Sequence, residues 1–204
     1  MGERPSPAVR AEVTRNIAEL DQLIDEILLA SRLDAQEADL GSIESVDLLG
    51  LMAEECARTG ADFAPASGLH EAAVPGVAKL LRRAVRNLLE NAARYGGEQP
   101  ASATLALEVA PAGKPGQLGK GLAVIRVSDH GPGVPPELRE RIFEPFYRLP
   151  GASEREGGVG LGLALVRSIA QIIKYIGSVI VITISFNKGT GKYIYGIKIG
   201  RAHV

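Results

Sequence analysis

The sequence predicts an α/β fold preceded by one long amphipathic helix, and three observations carry that reading. Ala103 to Val109, Leu122 to Ser128, Ser178 to Ser185 and Lys192 to Ile199 have the length and the β-branched or alternating composition of strands. Segments with apolar residues three and four apart, above all Gly76 to Tyr95, are interspersed with them as helices. Near the N-terminus, Val13, Ile17, Leu20, Ile24 and Ile27 alternate four and three apart, which is a heptad seam. A chain of 204 residues can bury one core and carry a helical appendage.

Leu23 and Leu28 widen the N-terminal stripe, which favours a helix of a four-helix bundle over a two-stranded coil. That face has to be buried, and no second helix with a matching seam is present. A homodimer through residues 8–34, or sequence N-terminal to this chain, is implied. An ordinary surface helix packed on its own domain is the alternative. Ala35 to Ser45 is polar and acidic with Gly41 inside it, and divides residues 1–41 from a domain over 42–199.

Within that domain, Val46, Leu48, Leu49, Leu51 and Met52 start a helix that ends near Thr59-Gly60, and Ala61 to Ala66 makes a short strand. The helix over Gly76 to Tyr95 buries Val77, Leu80, Leu81, Val85, Leu88 and Leu89. Asn87 and Asn91, four apart, share one face of it. A buried-face asparagine calls for something polar to bind, and a neutral amide oxygen can ligate Mg2+ without adding negative charge beside a triphosphate. Exposed or capping asparagines are the plain alternative. The connector Pro111 to Gly121 lacks the Gly-Lys-Ser/Thr ending of a phosphate loop, and no helix follows it.

Asp129 sits where the strand Leu122 to Ser128 runs out, so its carboxylate can point into a crevice. An ionised carboxylate only accepts hydrogen bonds, which suits the exocyclic amine of adenine. Gly131 and Gly133 leave out the β-carbons that would hold a flat base away. Pro135 to Arg139 starts a short helix, Phe143 and Phe146 can plug it against the core, and Leu149 to Gly157 has the composition of a lid. Arg148 or Arg155 either reaches phosphate once the lid closes or stays solvated. Gly158, Gly160 and Gly162 then open a helix continuing through Leu161, Leu163, Leu165, Val166 and Ile169; a glycine turn at a helix N-terminus offers free N–H groups to phosphate. Taken alone, each glycine motif could equally be a tight turn.

A net charge of −1 and the absence of Trp give no field or stacking platform for nucleic acid. The single cysteine, Cys56, excludes an internal disulfide and reads as a buried thiol in a reducing compartment. His70, His130 and His203 lack metal-ligand spacing. The N-terminus has no apolar signal region, and the apolar run Ile172 to Phe186 is too short for a membrane span and contains Lys174. A cytoplasmic chain without membrane contact is expected. After Gln171, lysine and isoleucine become frequent and alanine nearly vanishes. The end, Ile199-Gly-Arg-Ala-His-Val, resembles an in-frame translation of a sequencing adapter, so residues 200–204 are expected to be a non-native tail.

Four motifs now stand in a fixed order: Asn87-Leu-Leu-Glu-Asn91-Ala-Ala-Arg94-Tyr95-Gly96, Asp129-x-Gly-x-Gly, Ile142-Phe-Glu-Pro-Phe-Tyr-Arg148, and Gly160-Leu-Gly-Leu163. They resemble the asparagine box, first glycine box, phenylalanine box and second glycine box of the sensor histidine kinases of two-component systems. The resemblance implies an α/β (α+β) two-layer sandwich, a mixed sheet with helices on one face, with ATP between the helical layer and a mobile lid. It implies Asn91 as the principal Mg2+ ligand and Asn87 beside it at the metal and phosphates. It also implies Arg94 on phosphate and Tyr95 against the adenine face. Asp129, Gly131, Gly133, Gly158, Gly160, Leu161, Gly162 and Leu163 complete the ATP site. The leading helix then corresponds to the second helix of the dimerisation and phosphoacceptor hairpin, closing with Leu28 to Asp34. The first helix, with its His-Glu, is not in this chain, so the γ-phosphoryl goes to a histidine elsewhere and on to an aspartate of a response regulator receiver domain. A parent protein anchored in the cell membrane is compatible with the resemblance.

Rival readings are a hydrolytic ATPase of the same fold, an anti-sigma serine kinase, and a non-catalytic dimerisation or titrating module. The hydrolytic relatives carry a glutamate base where Asn87 stands, and an amide cannot take the proton of water. The bundle-like helix disfavours the serine kinase.

Overall fold

A computed structural model describes residues 6, 7, 9–14, 27, 31, 41–109, 121–149, 159–176, 180–188 and 191–199. Asp47 ends strand β1 (Glu44–Asp47) and caps helix α1 (Leu48–Thr59), its Oδ1 accepting the Leu49 N–H at 3.0 Å, a role that short acidic side chains fill well. Gly60, at φ +73°, closes the helix in the left-handed region that glycine adopts without a Cβ penalty. The helix therefore starts two residues later than the apolar pattern suggests. Val46 belongs to β1, which pairs antiparallel with β3 (Ala73–Gly76) through Val46↔Val74. Gly76 likewise ends a strand, and helix α2 runs Ala78–Tyr95. Two strands of four residues each were hidden in the sequence because neither is long enough to display alternation.

The main sheet has the order β2 (Asp62–Pro65), β4 (Ser102–Val109), β5 (Gly121–Asp129), β6 (Ile180–Lys188), β7 (Gly191–Ile199). β2–β4 and β5–β6 are parallel while β4–β5 and β6–β7 are antiparallel, so the sheet is mixed. Helix α3 (Gly162–Ile176) lies in the connection between the parallel neighbours β5 and β6. Register places Ala103 opposite Val127, Leu105 opposite Ile125, and Ile125 opposite Ile182, and all of these are buried on one face. Onto that face pack Leu51, Met52 and Cys56 of α1, Leu81, Val85, Leu88 and Leu89 of α2, and Leu165, Ile169 and Ile173 of α3. Each such side chain contributes about 1.5–3 kcal/mol on burial. The two-layer sandwich with helices on one face is the architecture expected.

Helix α2 is the middle helix, touching both α1 and α3, so a residue on it faces one neighbour or the other according to its helical angle. Cys56 is buried as expected, and burial, with Glu55 beside it, pushes its thiol up to about 11. Pro136–Leu138 and Arg141–Phe143 are single 3-10 turns. Of the two phenylalanines expected to plug this segment, Phe143 is buried but Phe146 is 59% exposed. Phe146 faces solvent because its backbone holds φ +64° while its N–H reaches the Gly160 carbonyl at 3.0 Å.

At the N-terminus, residues 9–14 are helical, with Val9 and Val13 exposed. Ile17, Leu20 and Ile24 of the heptad seam, and Leu23 and Leu28 that widen it, lie outside the described residues, as do residues 150–158 of the lid with Arg155 and Gly158, and residues 200–204. Ile199 pairs with Ile180 and is part of β7.

Candidate nucleotide-binding site

Asp129 is the last residue of β5, a central strand, and it is 4% exposed. Its Oδ1 accepts the Gly131 N–H at 2.8 Å, and no other hydrogen bond to this carboxylate is made among the described residues, which leaves Oδ2 for an incoming donor. Burial raises the carboxyl above its ordinary value and the Gly131 N–H partly offsets this. Glycines let the end of β5 meet the end of α2. A Cβ on Gly131 would stand 2.0 Å from the Tyr95 carbonyl oxygen, and one on Gly96 would stand 3.0 Å from the Asp129 Cβ. The motifs at Asn87–Gly96 and Asp129–Gly133 are thereby brought together, with Gly133 at φ +75° turning the chain away.

Asn87 is 4% exposed, and its side-chain Nδ2 is buried with no hydrogen-bond partner. An unsatisfied buried donor costs about 1–3 kcal/mol. It sits where α3 begins: a Cβ on Gly162 would be 3.7 Å from the Asn87 Cγ. The opening turn of α3 carries N–H groups without intrahelical partners, so the orphan amide and the helix N-terminus face the same space. Asn91 follows one turn later and is half-buried.

Gly160, at φ +81°, lies against the Phe146–Tyr147 backbone, where a Cβ would come 2.8 Å from the Tyr147 carbonyl oxygen. That contact ties the phenylalanine segment to the second glycine turn. Leu161 is buried and Leu163 half-buried against the core, so what these two present to the crevice is backbone. Tyr95 is 39% exposed at the helix end. Arg94 is exposed and borders a concavity of about 440 Å³ with Arg58, Thr59, Glu90 and Ala93.

The residues present fit Mg2+ held with phosphate. Two neutral amides one turn apart supply oxygen ligands, and no group of three His, Cys, Asp or Glu that could cage a metal exists among the described residues. Mg2+ is commonly held in that way, through few protein ligands plus phosphate and water.

Sequence reasoning missed Glu55. It is 1% exposed and lies between Arg58, Arg82 and Arg86. Arg58 also donates to Glu90 at 3.1 Å. The signal was available: Glu55 continues the apolar stripe Leu48, Leu51, Met52 at helical spacing, and Arg82 and Arg86 stand four apart on the next helix.

Residues 76–195 match the family described as histidine kinase-, DNA gyrase B- and HSP90-like ATPase. The sensor protein RstB of Escherichia coli K12 is 35% identical over 178 residues, 83% of this chain and 38% of RstB. The signal transduction histidine-protein kinase/phosphatase MprB of Mycobacterium avium is 33% identical over 167 residues, 82% of this chain and 30% of MprB. The chain thus spans between 30 and 38% of these relatives. Among solved structures, the Acinetobacter baumannii histidine kinase AdeS superposes with a TM-score of 0.66 at 19% identity, over 98% of this chain and 88% of that one. Full-length ShkA in complex with AMPPNP superposes with a TM-score of 0.56 at 27% identity, over 82% of this chain and 35% of ShkA.

Proposed function

The chain belongs to the histidine kinase-, DNA gyrase B- and HSP90-like ATPase family, as the ATP-binding catalytic domain of a sensor histidine kinase, and from that premise we propose that it presents Mg-ATP to a histidine outside this chain. The observation that carries the proposal is the Asn87 amide, buried, unpartnered and set against the first turn of α3. Its Nδ2 donates to a phosphate oxygen, and the Asn91 and Asn87 side-chain oxygens hold Mg2+. When bound, Mg2+ neutralises charge on the triphosphate oxygens. The N–H groups around Gly160 and Gly162, with Arg94, bind the phosphates, Tyr95 lies along the base, and Asp129 Oδ2 accepts from the adenine amine.

Transfer rather than hydrolysis follows from Asn87, since a carboxamide cannot take a proton from water. The chain's work is then positioning and charge neutralisation. Residues 1–41 supply the second helix of a dimerisation hairpin, residues 42–199 the ATP-binding domain, and residues 200–204 a non-native tail. The partner receiving the phosphoryl from the histidine is a response regulator receiver domain. No helix among the described residues is long and apolar enough to cross a membrane, and the domain's place in this reading is the cytoplasm.

Incubation with γ-labelled ATP and Mg2+ tests the reading. His70 is followed by Glu71 and, five residues on, by Pro75, but it stands exposed in the coil before β3 and not on a helix, while His130 stands beside Asp129 at the adenine end. No acid-labile, base-stable label is therefore expected on the chain alone. A separate hairpin carrying the His-Glu motif should be labelled slowly, because a free acceptor lacks the roughly millimolar or higher effective concentration of a tethered one. Stoichiometric labelling of the chain itself would contradict the missing acceptor.

A further inference from the structure

Building on the Mg-ATP reading above, we propose that Glu55 is a positioning residue for the Asn87/Asn91 pair, acting through two arms that fix the rotation of α2. Glu55 projects from α1 and is 1% exposed. Its Oε2 accepts from Arg58 Nε at 3.2 Å and Arg86 Nε at 3.0 Å, and its Oε1 from Arg82 Nη1 at 3.2 Å and Arg86 Nη2 at 2.9 Å. Arg86 is thus gripped by both oxygens in the bidentate geometry that fixes direction as well as distance. Arg82 is held in addition by Glu54. Arg58 carries the second arm, reaching Glu90 with its Nη2 at 3.1 Å.

The residues gripped are the immediate neighbours of the asparagines: Arg86 precedes Asn87 and Glu90 precedes Asn91. Successive residues on an α-helix are about 100° apart. Holding Arg86 and Glu90 against α1 at two levels, one turn apart, therefore aims Asn87 and Asn91 away from α1 at both levels. That is where Asn87 is found, against Gly162 of α3. The apolar face of α2, with Leu80, Leu81, Ala84, Val85, Leu88 and Leu89, is a broad stripe whose attraction is non-directional. A directional, buried ionic grip supplies what the stripe lacks. Groups that orient metal ligands without touching the metal commonly change metal affinity about ten- to a hundred-fold.

The test measures ATP affinity by calorimetry, with Mg2+ and with chelator, for the full chain and for Glu55→Gln and Arg58→Ala, at a temperature where circular dichroism shows each folded. The expected result is a fall in the Mg2+-dependent gain of about ten-fold in Glu55→Gln and about three-fold in Arg58→Ala, with chelator affinity within about two-fold of the original. A purely structural Glu55 lowers the melting temperature and leaves the gain unchanged. Should Glu55→Gln not fold, Arg58→Ala, whose residue is half-exposed, decides alone. A gain within about two-fold of the original in the folded variants overturns the proposal. No Mg2+-dependent gain in the unaltered chain would instead remove the Mg-ATP reading on which it rests.

Discussion

Replacing Asp129 with asparagine is expected to weaken ATP binding about ten- to a hundred-fold, because one charge-assisted hydrogen bond of about 1.5–3 kcal/mol is lost. The carboxylate offers lone pairs only. The amide keeps the volume but turns one of its two polar atoms into a donor facing the adenine amine, itself a donor. The fold should survive, since Oδ1 of the amide can still accept from Gly131 N–H, now 2.8 Å from the carboxylate. A pH series adds a second readout. Burial raises the Asp129 carboxyl in the folded state, so acidification protonates it sooner than an ordinary aspartate and removes the acceptor. ATP affinity should therefore fall on mild acidification in the original chain and less steeply in the Asp129→Asn variant. Stability has the opposite sign for this residue: a folded-state value above the unfolded one means that protonation favours the fold. Calorimetry across pH, with melting temperatures alongside, reads both. Unchanged affinity at neutral pH would remove the adenine assignment.

The second large effect belongs to Glu55. Burial by itself raises a carboxyl, but hydrogen bonds from Arg86 and Arg82, with the charges of Arg86 and Arg58, overcome it and hold the group down at about 2. Lowering from the ordinary value of 4.5 corresponds to roughly 3 kcal/mol. The sign follows from proton binding. The unfolded chain takes up the proton first as pH falls, so the contribution is fully present above the ordinary carboxylate value and is lost progressively between it and about 2. Urea unfolding of Glu55→Gln at neutral pH should show a loss of about 2–3 kcal/mol, less than for a fully buried pair because the three arginines are partly exposed and can rehydrate. The difference from the original chain should shrink as pH is lowered from about 4.5. A difference independent of pH would mean that Glu55 contributes by packing alone.

The sheet and the long helices were legible because their signals are long. The strands β4 to β7 and helix α2 each carry enough residues for a period to show. β1 and β3 do not, and Val46 in particular reads as helical because the apolar residues of α1 follow it without a break. The candidate site was legible in residue type at Asn87, Asp129, Gly131 and Gly160, because packing alone seldom selects an amide on a buried face, a strand-end carboxylate and glycines without room for a Cβ. Phe146 was misread, since nothing in its neighbours announces a positive φ. Glu55 was overlooked because a charge on an apolar stripe is usually solvated, and its three arginines are distributed over two helices that only the fold brings together.

Whether the two asparagines and the strand-end aspartate form a working Mg-ATP site is decided by titrating ATP into the isolated chain in a calorimeter, once with excess Mg2+ and once with a chelator. Saturable binding at one ATP per chain is expected, tighter with Mg2+ than with the chelator. An absence of binding heat under both conditions, across temperatures that would expose a silent enthalpy, would contradict such a site.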